Sequence, residues 1–492
     1  MTNPLSSQAS SAVRWRTAQL IGVNAIFLIR VLVLARILAP DAFGLFAIAL
    51  VPIGILLQAS ELGMIPALVH AREPTQRHYD VAWTIGLARG LVTAGLVVAL
   101  APWVAEFAGE PRAASITRVL ALQPLLLAIS SIRVAELQRQ LKFRPLAIIH
   151  LGEAMANTIA AVALAPLIGV WALVAGMLAG NLLRLVISYI VAPYAPRVAF
   201  NAGAARSLVR FGQWVFVAAL TSTIGGALLR LLISRQLGAA ELGIYYLATR
   251  LTFLLGGTVI DVGSSVAFPI YARLQEEREE AIRVFRAVWS ATMALIVPAF
   301  ALFIALAPSI VTDVLGAQWQ GTEAVLRILA GVCILSIFGD VTGPIWQGMG
   351  QPWRNALIEA LQSAVLLIGV WLLASRLGVI GAALAWIPAV LVTQLVSAIF
   401  LPRVLSRPMR GLSSTALAVV TSALVGAATA LLIDRAVDGL PGTIAAAVAG
   451  GLVALAGLWF GDRRFDLGLV HSLQRVFPRL PWPGSLGNDA RD

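Results

Sequence analysis

The sequence predicts an all-α polytopic membrane protein with about 14 transmembrane helices, built as two parallel six-helix lobes plus two extra C-terminal helices. Three observations predict this fold class. Apolar residues make up 59% of the 492 residues and charged residues only 12%, with a mean hydropathy of +0.87. The apolar residues lie in long continuous windows, whereas a membrane β-barrel would show alternating segments of roughly ten residues. Finally, one segment of the first half returns in the second half.

The apolar windows give the predicted helices in order. Most approach or exceed the length of about 20 residues that spans a bilayer as an α-helix, and Pro or Gly clusters stand at most of the joints. The fourteen windows are residues 17–38, 43–67, 81–104, 116–135, 146–167, 170–192, 212–234, 242–269, 287–308, 322–346, 355–376, 379–401, 413–434 and 439–461. The first window carries Asn24, Arg30 and Arg36 and lacks a cleavage site, which indicates a spanning helix rather than a signal peptide.

An internal repeat relates the two halves. Arg36–Ala49 reads RILAPDAFGLFAIA and Arg235–Ala248 reads RQLGAAELGIYYLA, with Arg, Leu, Gly and Ala in the same slots about 199 positions apart. A second echo, SELG against IDVG, places Glu61 opposite Asp261. Six helices return the chain to its starting side, so the two copies share one orientation and are related by an axis along the membrane normal.

The repeat sets the predicted domain boundaries. The N-lobe with helices one to six covers residues 1–200, and the C-lobe with helices seven to twelve covers 201–405. The two helices outside the repeat occupy 406–462, and a cytoplasmic tail follows at 463–492.

The basic residues indicate orientation and lipid contact. The formal net charge is +12, and Lys and Arg concentrate in one set of alternate loops that includes both termini. The positive-inside rule therefore places both termini in the cytoplasm. In a soluble chain such an excess would suggest nucleic acid; here it points to anionic membrane lipids, and no nucleic-acid partner is expected.

The sequence shows no catalytic or metal-binding pattern. Cys333 is the single cysteine, so an intrachain disulfide and a Cys-based metal site are excluded. The four His residues are scattered without ligand spacing. A Walker A loop is absent, so ATP is not the direct energy source. We expect no enzyme activity, no cofactor and no metal.

Five segments carry a family resemblance. They are DAFGLFAIALVPIGILLQASELGMIPALVHAREPT, AEFAGEPRAASITRVLALQPLL, LQRQLKFRPLAIIHLGE, FPIYARLQEEREE and LGAQWQGTEAVLRILA. Together they resemble the oligosaccharide flippases of bacterial polysaccharide export, in the multidrug/oligosaccharidyl-lipid/polysaccharide superfamily, with most likeness to the exopolysaccharide and colanic-acid type. The resemblance runs over roughly residues 15–400.

The resemblance implies a fold and a function. The fold is two six-helix lobes in a V, often with two more helices. The function is translocation of a polyprenyl-pyrophosphate-linked oligosaccharide from the cytoplasmic to the periplasmic leaflet of the bacterial inner membrane. It serves exopolysaccharide or O-antigen biosynthesis and proceeds by alternating access. The polysaccharide polymerase and export machinery are candidate partners.

Charged residues inside the windows are the candidate site residues. A charge at the centre of a spanning helix costs at least about 2.5 kcal/mol, so each one must be compensated or face a wet cavity. Arg30 and Arg230 fall at nearly equivalent repeat positions in the predicted outer halves of helices one and seven. With Arg250 and Arg89, they are predicted to line a cavity between the lobes and to bind the pyrophosphate of the substrate there. Internal ion pairing, for example of Arg89 with Glu61, is the alternative.

Two further features of the windows carry predictions. Glu61 and Asp261 form a repeat-related acidic pair that either couples transport to a cation or proton, or hydrogen-bonds helix ends near the cytoplasmic surface. The GMLAG run at Gly176–Gly180 has small-xxx-small spacing and predicts close helix packing.

Two other functions are compatible with parts of the sequence. A cation-coupled drug or small-molecule exporter of the same superfamily would share the fold, but the Arg residues in the outer halves would repel cationic drugs. A membrane-embedded polysaccharide polymerase would need a large periplasmic loop with reactive groups, and the predicted periplasmic loops are short.

Overall fold

The computed structural model describes residues 4–60, 68, 75–199, 213–405 and 412–465. Regular structure throughout these ranges is helical. Two compact units divide the chain, Met1–Tyr246 and Leu247–Asp492. The division falls inside one long helix, so the beginning of that helix packs with the first unit.

The first unit contains seven long helices, the last of which it shares with the second unit, and three short helices between the third and fourth long ones. They are α1 (Pro4–Ile37), α2 (Pro40–Ala59), α3 (Gln76–Phe107), α4 (Ala113–Leu120), α5 (Leu122–Ala128), α6 (Val134–Arg139), α7 (Phe143–Ile168), α8 (Trp171–Val191), α9 (Gln213–Leu237) and the beginning of α10 (Ala239–Arg273).

The second unit contains the rest of α10 and six further long helices. They are α11 (Arg278–Ala305), α12 (Thr322–Gly348), α13 (Pro352–Leu384), α14 (Trp386–Val404), α15 (Leu412–Ala436) and α16 (Gly439–Phe465). Between α11 and α12 lie a short α-helical turn at Ala307–Ser309, a π-helical turn at Ile310–Leu315 and a 3₁₀ turn at Ala317–Trp319. The core of the second unit is built around four fully buried residues, Tyr271, Phe285, Phe300 and Trp346.

The helices confirm the predicted fold class. Each predicted apolar window overlaps described helices, and ten of these helices are long and apolar enough to cross a membrane. The chain is therefore a multi-pass membrane protein. The predicted fourth helix differs in detail, because it is divided into short pieces that include α4 and α5. The predicted joint between helices eleven and twelve falls at Gly378, where φ of 62° and ψ of −147° interrupt α13.

The two repeated segments touch each other within the first unit. A Cβ atom on Gly44 would lie 1.8 Å from the carbonyl oxygen of Ala239, and one on Gly243 would lie 1.8 Å from the carbonyl oxygen of Pro40. The beginning of α2 thus meets the beginning of α10 through two glycines that are 199 positions apart. A reciprocal contact of this kind is what a two-fold relation between two copies produces.

Polar contacts also connect the beginning of α10 with neighbouring segments of the first unit. Arg112 donates to both carboxylate oxygens of Asp41, at 3.1 and 2.9 Å, and to Glu110 at 2.9 Å. Glu110 also accepts a hydrogen bond from the backbone nitrogen of Ala239 at 3.2 Å. The Ser234 hydroxyl donates to the Ala108 carbonyl at 2.9 Å. The turn between α9 and α10 is thereby fixed to the loop that follows α3.

Candidate functional site

Close packing between α7 and α8 builds the polar region of the first unit. A Cβ atom on Gly176 would lie 2.7 Å from the carbonyl oxygen of Asn157, and one on Gly180 would lie 2.8 Å from the carbonyl oxygen of Glu153. The two glycines therefore let the helix backbones approach, which confirms the close packing predicted from the GMLAG spacing. Arg184 follows one turn later on α8 and reaches the Glu153 carboxylate from the neighbouring helix.

Glu153 is the acid at the centre of this region. Its Oε2 atom lies 3.3 Å from Nη1 of Arg184 and 3.6 Å from Nδ1 of His150. The Arg184 contact compensates a carboxylate that would otherwise stand alone inside a spanning helix. His150, Glu153 and Asn157 are spaced along α7 so that they share one face.

One cavity, which we call the α1 cavity, lies beside this face. Its volume is about 330 Å³, and it is lined by Val23, Ile26, Phe27 and Arg30 from α1, by His150, Glu153, Ala154, Asn157 and Thr158 from α7, and by Arg184 from α8. The Arg30 guanidinium carbon lies 4.9 Å from the centre of the Phe27 ring. The structure therefore brings Arg30 to a cavity that also holds the Glu153–Arg184 pair.

A second cavity, the α3 cavity, shares His150 and Arg184 with the first. Its volume is about 130 Å³, and its lining also includes Arg89, Ser130 and Ser131. Arg89 Nη1 donates to the carbonyl oxygen of Ser60 at 3.1 Å. This contact holds the Arg89 side chain against the end of α2.

The charge of the two cavities favours an anion. Their linings contain three Arg side chains, at positions 30, 89 and 184, and one acid, Glu153. Among the lining residues that the structure describes, Arg side chains therefore outnumber acids. Arg stays protonated at every physiological pH and offers its planar fork to phosphate oxygens. In a region of low dielectric, such an excess attracts a ligand of opposite charge.

The other predicted site residues lie elsewhere. Arg230 is on α9 and Arg250 is on α10, both half-buried, and neither lines the α1 or α3 cavity. Their role in the substrate site stays a prediction. Glu61 lies outside the described residues, as does the side chain of Asp261, so the acidic pair also stays a prediction.

The sequence did not single out His150, Glu153 or Arg184 as site residues. The first two stand three positions apart on one helix, which was a readable signal for a shared face. Arg184 is 31 positions from its partner Glu153, and this contact forms only when α7 and α8 pack. Helix spacing alone therefore could not place the cation beside the acid.

Residues 33–324, more than half of the chain, match the model of a family described as "Polysaccharide biosynthesis protein". The chain belongs to this family. The matched range includes α7, α8 and the polar region between them. It ends at the beginning of α12, so α13 to α16 lie beyond it.

Two curated relatives extend this finding. The chain is 30% identical over 321 residues to the succinoglycan biosynthesis transport protein ExoT of Rhizobium meliloti, and the match covers 65% of each chain. It is 21% identical over 415 residues to the lipopolysaccharide biosynthesis protein WzxC of Escherichia coli, with 83% of each chain covered. The match to the first relative thus spans just under two thirds of that protein's length.

A solved structure supports the fold. The chain is similar to the lipid II flippase MurJ in an inward closed conformation, with a TM-score of 0.75 and 14% identity. The alignment covers 92% of this chain and 100% of that one. At this identity the similarity concerns the fold, and it extends over nearly the whole chain.

Proposed function

We propose that this chain translocates a polyprenyl-pyrophosphate-linked oligosaccharide from the cytoplasmic to the periplasmic leaflet, by alternating access, for surface polysaccharide biosynthesis. The observation that carries the proposal is that three Arg side chains, from α1, α3 and α8, line the α1 and α3 cavities of an otherwise apolar protein. Charged side chains inside a membrane protein are costly, and a group of them marks a site that handles a polar substrate. A pyrophosphate diester supplies two negative charges.

The site residues act as binding groups. Arg30 and Arg89 contribute two guanidinium groups from different helices, and Arg184 contributes a third that Glu153 partly neutralises. The pyrophosphate exchanges its water shell for these donors, while the lipid tail stays in the bilayer. We propose that Arg230 and Arg250 add positive charge for the same pyrophosphate from the second copy of the repeat.

The names of similar proteins support this proposal. The name of the Rhizobium relative describes transport in succinoglycan biosynthesis, and that of the Escherichia coli relative describes lipopolysaccharide biosynthesis. The structural neighbour is named a lipid II flippase. These names fit a transporter that serves polysaccharide biosynthesis.

We place the protein in the bacterial inner membrane with both termini in the cytoplasm. The distribution of basic residues between alternate loops supports this orientation. The same basic loops would contact anionic lipid headgroups. The lobes would be residues 1–200 and 201–405, and the polysaccharide polymerase and export machinery would receive the translocated substrate.

The charge of the cavities disfavours a drug exporter of the same superfamily, because three Arg side chains would repel a cationic drug. Coupling to a cation or proton through Glu61 and Asp261 is compatible with flipping. Transport that persists after the proton and sodium gradients are collapsed would contradict that coupling.

Replacement of Arg30 and Arg230 by Ala tests the proposed site in cells that lack the chromosomal gene. We expect surface polymer to be lost, and the lipid-linked precursor to accumulate, at normal abundance of the protein in the membrane. Arg327→Ala is the matched control, because Arg327 is an intramembrane Arg paired with Glu323 at 2.8 Å. Undiminished polymer export by the double variant would contradict the site.

A further inference from the structure

The second unit contains a polar cavity of a different kind. Its volume is about 230 Å³, and none of the described residues that line it is basic. We call it the amide cavity, because four carboxamides and two carboxylates line it: Gln347, Asn355, Gln362, Gln394, Asp340 and Glu359. Hydroxyl groups of Ser264, Ser336 and Thr393 add to the lining. The cavity therefore offers many hydrogen-bonding groups and no positive charge for a phosphate.

Two glycines of α12 keep the amide cavity open. A Cβ atom on Gly339 would lie 3.0 Å from the Thr393 methyl carbon and 3.3 Å from Oε1 of Gln394. A Cβ atom on Gly343 would lie 3.5 Å from Oδ1 of Asn355. One face of α12 thus carries no side chain where it passes these amides, and a ligand can approach them closely.

The amide groups have hydrogen-bonding capacity to spare. Gln394 donates through its amide nitrogen to the carbonyl oxygen of Leu335, which fixes the side chain. Its Oε1 atom is buried and accepts no hydrogen bond from any described residue. Asp340 accepts one hydrogen bond from the Ser336 hydroxyl, at 2.7 Å. A carboxylate can accept several hydrogen bonds, so Asp340 can also accept one from a ligand.

We propose that the amide cavity binds a sugar residue of the oligosaccharide headgroup; this inference rests on the proposed function. Sugar hydroxyl groups both donate and accept, and carboxamides, hydroxyls and carboxylates complement them. Apolar groups of Ile260, Ile358 and the partly exposed Phe268 face the C–H edges of a sugar ring. The volume lies below the roughly 300–1,000 Å³ of drug-sized sites, which suits one sugar residue rather than a whole oligosaccharide.

A bound cation is the competing occupant, because Asp340 and Glu359 are both acids of this cavity. A cation site requires several oxygens that converge on one point. Among the residues that the structure describes, no group of three or more His, Cys, Asp or Glu side chains is placed to hold a metal ion. The lining has more neutral amide and hydroxyl groups than carboxylates, which fits a sugar better than an ion.

The test compares two lipids on the full-length protein in nanodiscs. One is undecaprenyl pyrophosphate, and the other is the lipid-linked oligosaccharide extracted from a polymerase-deficient strain of the producing cells. Asn355→Leu removes hydrogen bonding at similar volume, and Glu359→Gln keeps an acceptor but removes the charge. Gly331→Ala is the control on α12, since an added methyl group there meets nothing within 4 Å.

We expect Asn355→Leu to weaken binding of the lipid-linked oligosaccharide about 2- to 10-fold, the loss of one or two hydrogen bonds. Its affinity for undecaprenyl pyrophosphate should be unchanged. Glu359→Gln, which keeps a hydrogen-bonding group, should weaken binding of the lipid-linked oligosaccharide no more than Asn355→Leu does, and Gly331→Ala should resemble the wild type. An equal effect of Asn355→Leu on both lipids, or on neither, would overturn the sugar site. Sodium-dependent affinity that disappears in Glu359→Gln would assign the cavity to a cation instead. A wild-type protein that binds neither lipid would overturn the proposed function as well.

Discussion

Replacement of Gly44 by Ala tests the contact between the two repeated segments. The new Cβ atom would lie 1.8 Å from the carbonyl oxygen of Ala239, so the backbones must separate by about 1 Å or more to reach van der Waals contact. Gly54, nearly three turns further along α2, is the control, because a Cβ atom there meets nothing within 4 Å.

The magnitude follows from two opposing effects. Ala in place of Gly in a helix is favourable by roughly 0.5–1 kcal/mol, since less backbone entropy is lost. Overpacking a tight contact costs about 1–3 kcal/mol. Gly54→Ala should therefore be neutral or slightly stabilising, and Gly44→Ala should be less stable than Gly54→Ala by about 1–3 kcal/mol. Gly243→Ala should resemble Gly44→Ala, because its Cβ atom would lie 1.8 Å from the Pro40 carbonyl.

The assay is the apparent unfolding midpoint in detergent, followed by tryptophan fluorescence at one fixed heating rate. The double variant Gly44→Ala/Gly243→Ala should lose less stability than the sum of the two single variants, because one separation of the backbones relieves both clashes. Equal midpoints for Gly44→Ala and Gly54→Ala would refute the close contact, and strictly additive effects would refute its reciprocal geometry.

Four other variants address contacts of the first unit. Arg112→Ala should cost at most about 1 kcal/mol of stability, because the exposed ion pairs it removes are weak; a larger drop in the unfolding midpoint would contradict this. Glu153→Gln removes a negative charge from the cavity, so this variant should bind undecaprenyl pyrophosphate at least as tightly as the wild type. Arg184→Ala removes a positive charge and should bind it more weakly. The reverse order of affinities in a binding titration would refute the anion site. The hydrogen bond from Tyr79 holds the pKa of Glu136 below its usual range, so this contact stabilises the fold above the ordinary carboxyl pKa and is lost as the pH falls. Tyr79→Phe should therefore lower the unfolding midpoint at pH 7 but not at about pH 3, well below the ordinary Glu pKa.

The helices could be predicted because the bilayer leaves little choice. A spanning backbone must satisfy its own hydrogen bonds, so long apolar windows become helices. Local glycine signals were also readable: Gly378 interrupts the helix at the predicted joint, and Gly176 and Gly180 bring α8 close to α7. These features depend on residues that are near one another in the chain.

The site was only partly predictable because its contacts join distant segments. Arg30 and Arg89 were identified from the cost of intramembrane charge, and the structure places both at polar cavities. Arg184 was not predicted as a site residue, because its partner Glu153 lies on another helix and contacts it only when α7 and α8 pack. The amide cavity likewise depends on how α12, α13 and α14 pack, which periodicity does not reveal.

Proteoliposomes test the central claim most directly. The extracted lipid-linked oligosaccharide is incorporated into both leaflets, and a membrane-impermeant glycosidase is added outside. With the wild-type protein, the account predicts that the inner-leaflet pool also becomes cleavable over time, whereas vesicles with Arg30→Ala/Arg230→Ala release only the outer-leaflet share. If cleavage in vesicles with the wild-type protein stops at the level reached in protein-free vesicles, the proposed flippase function is wrong.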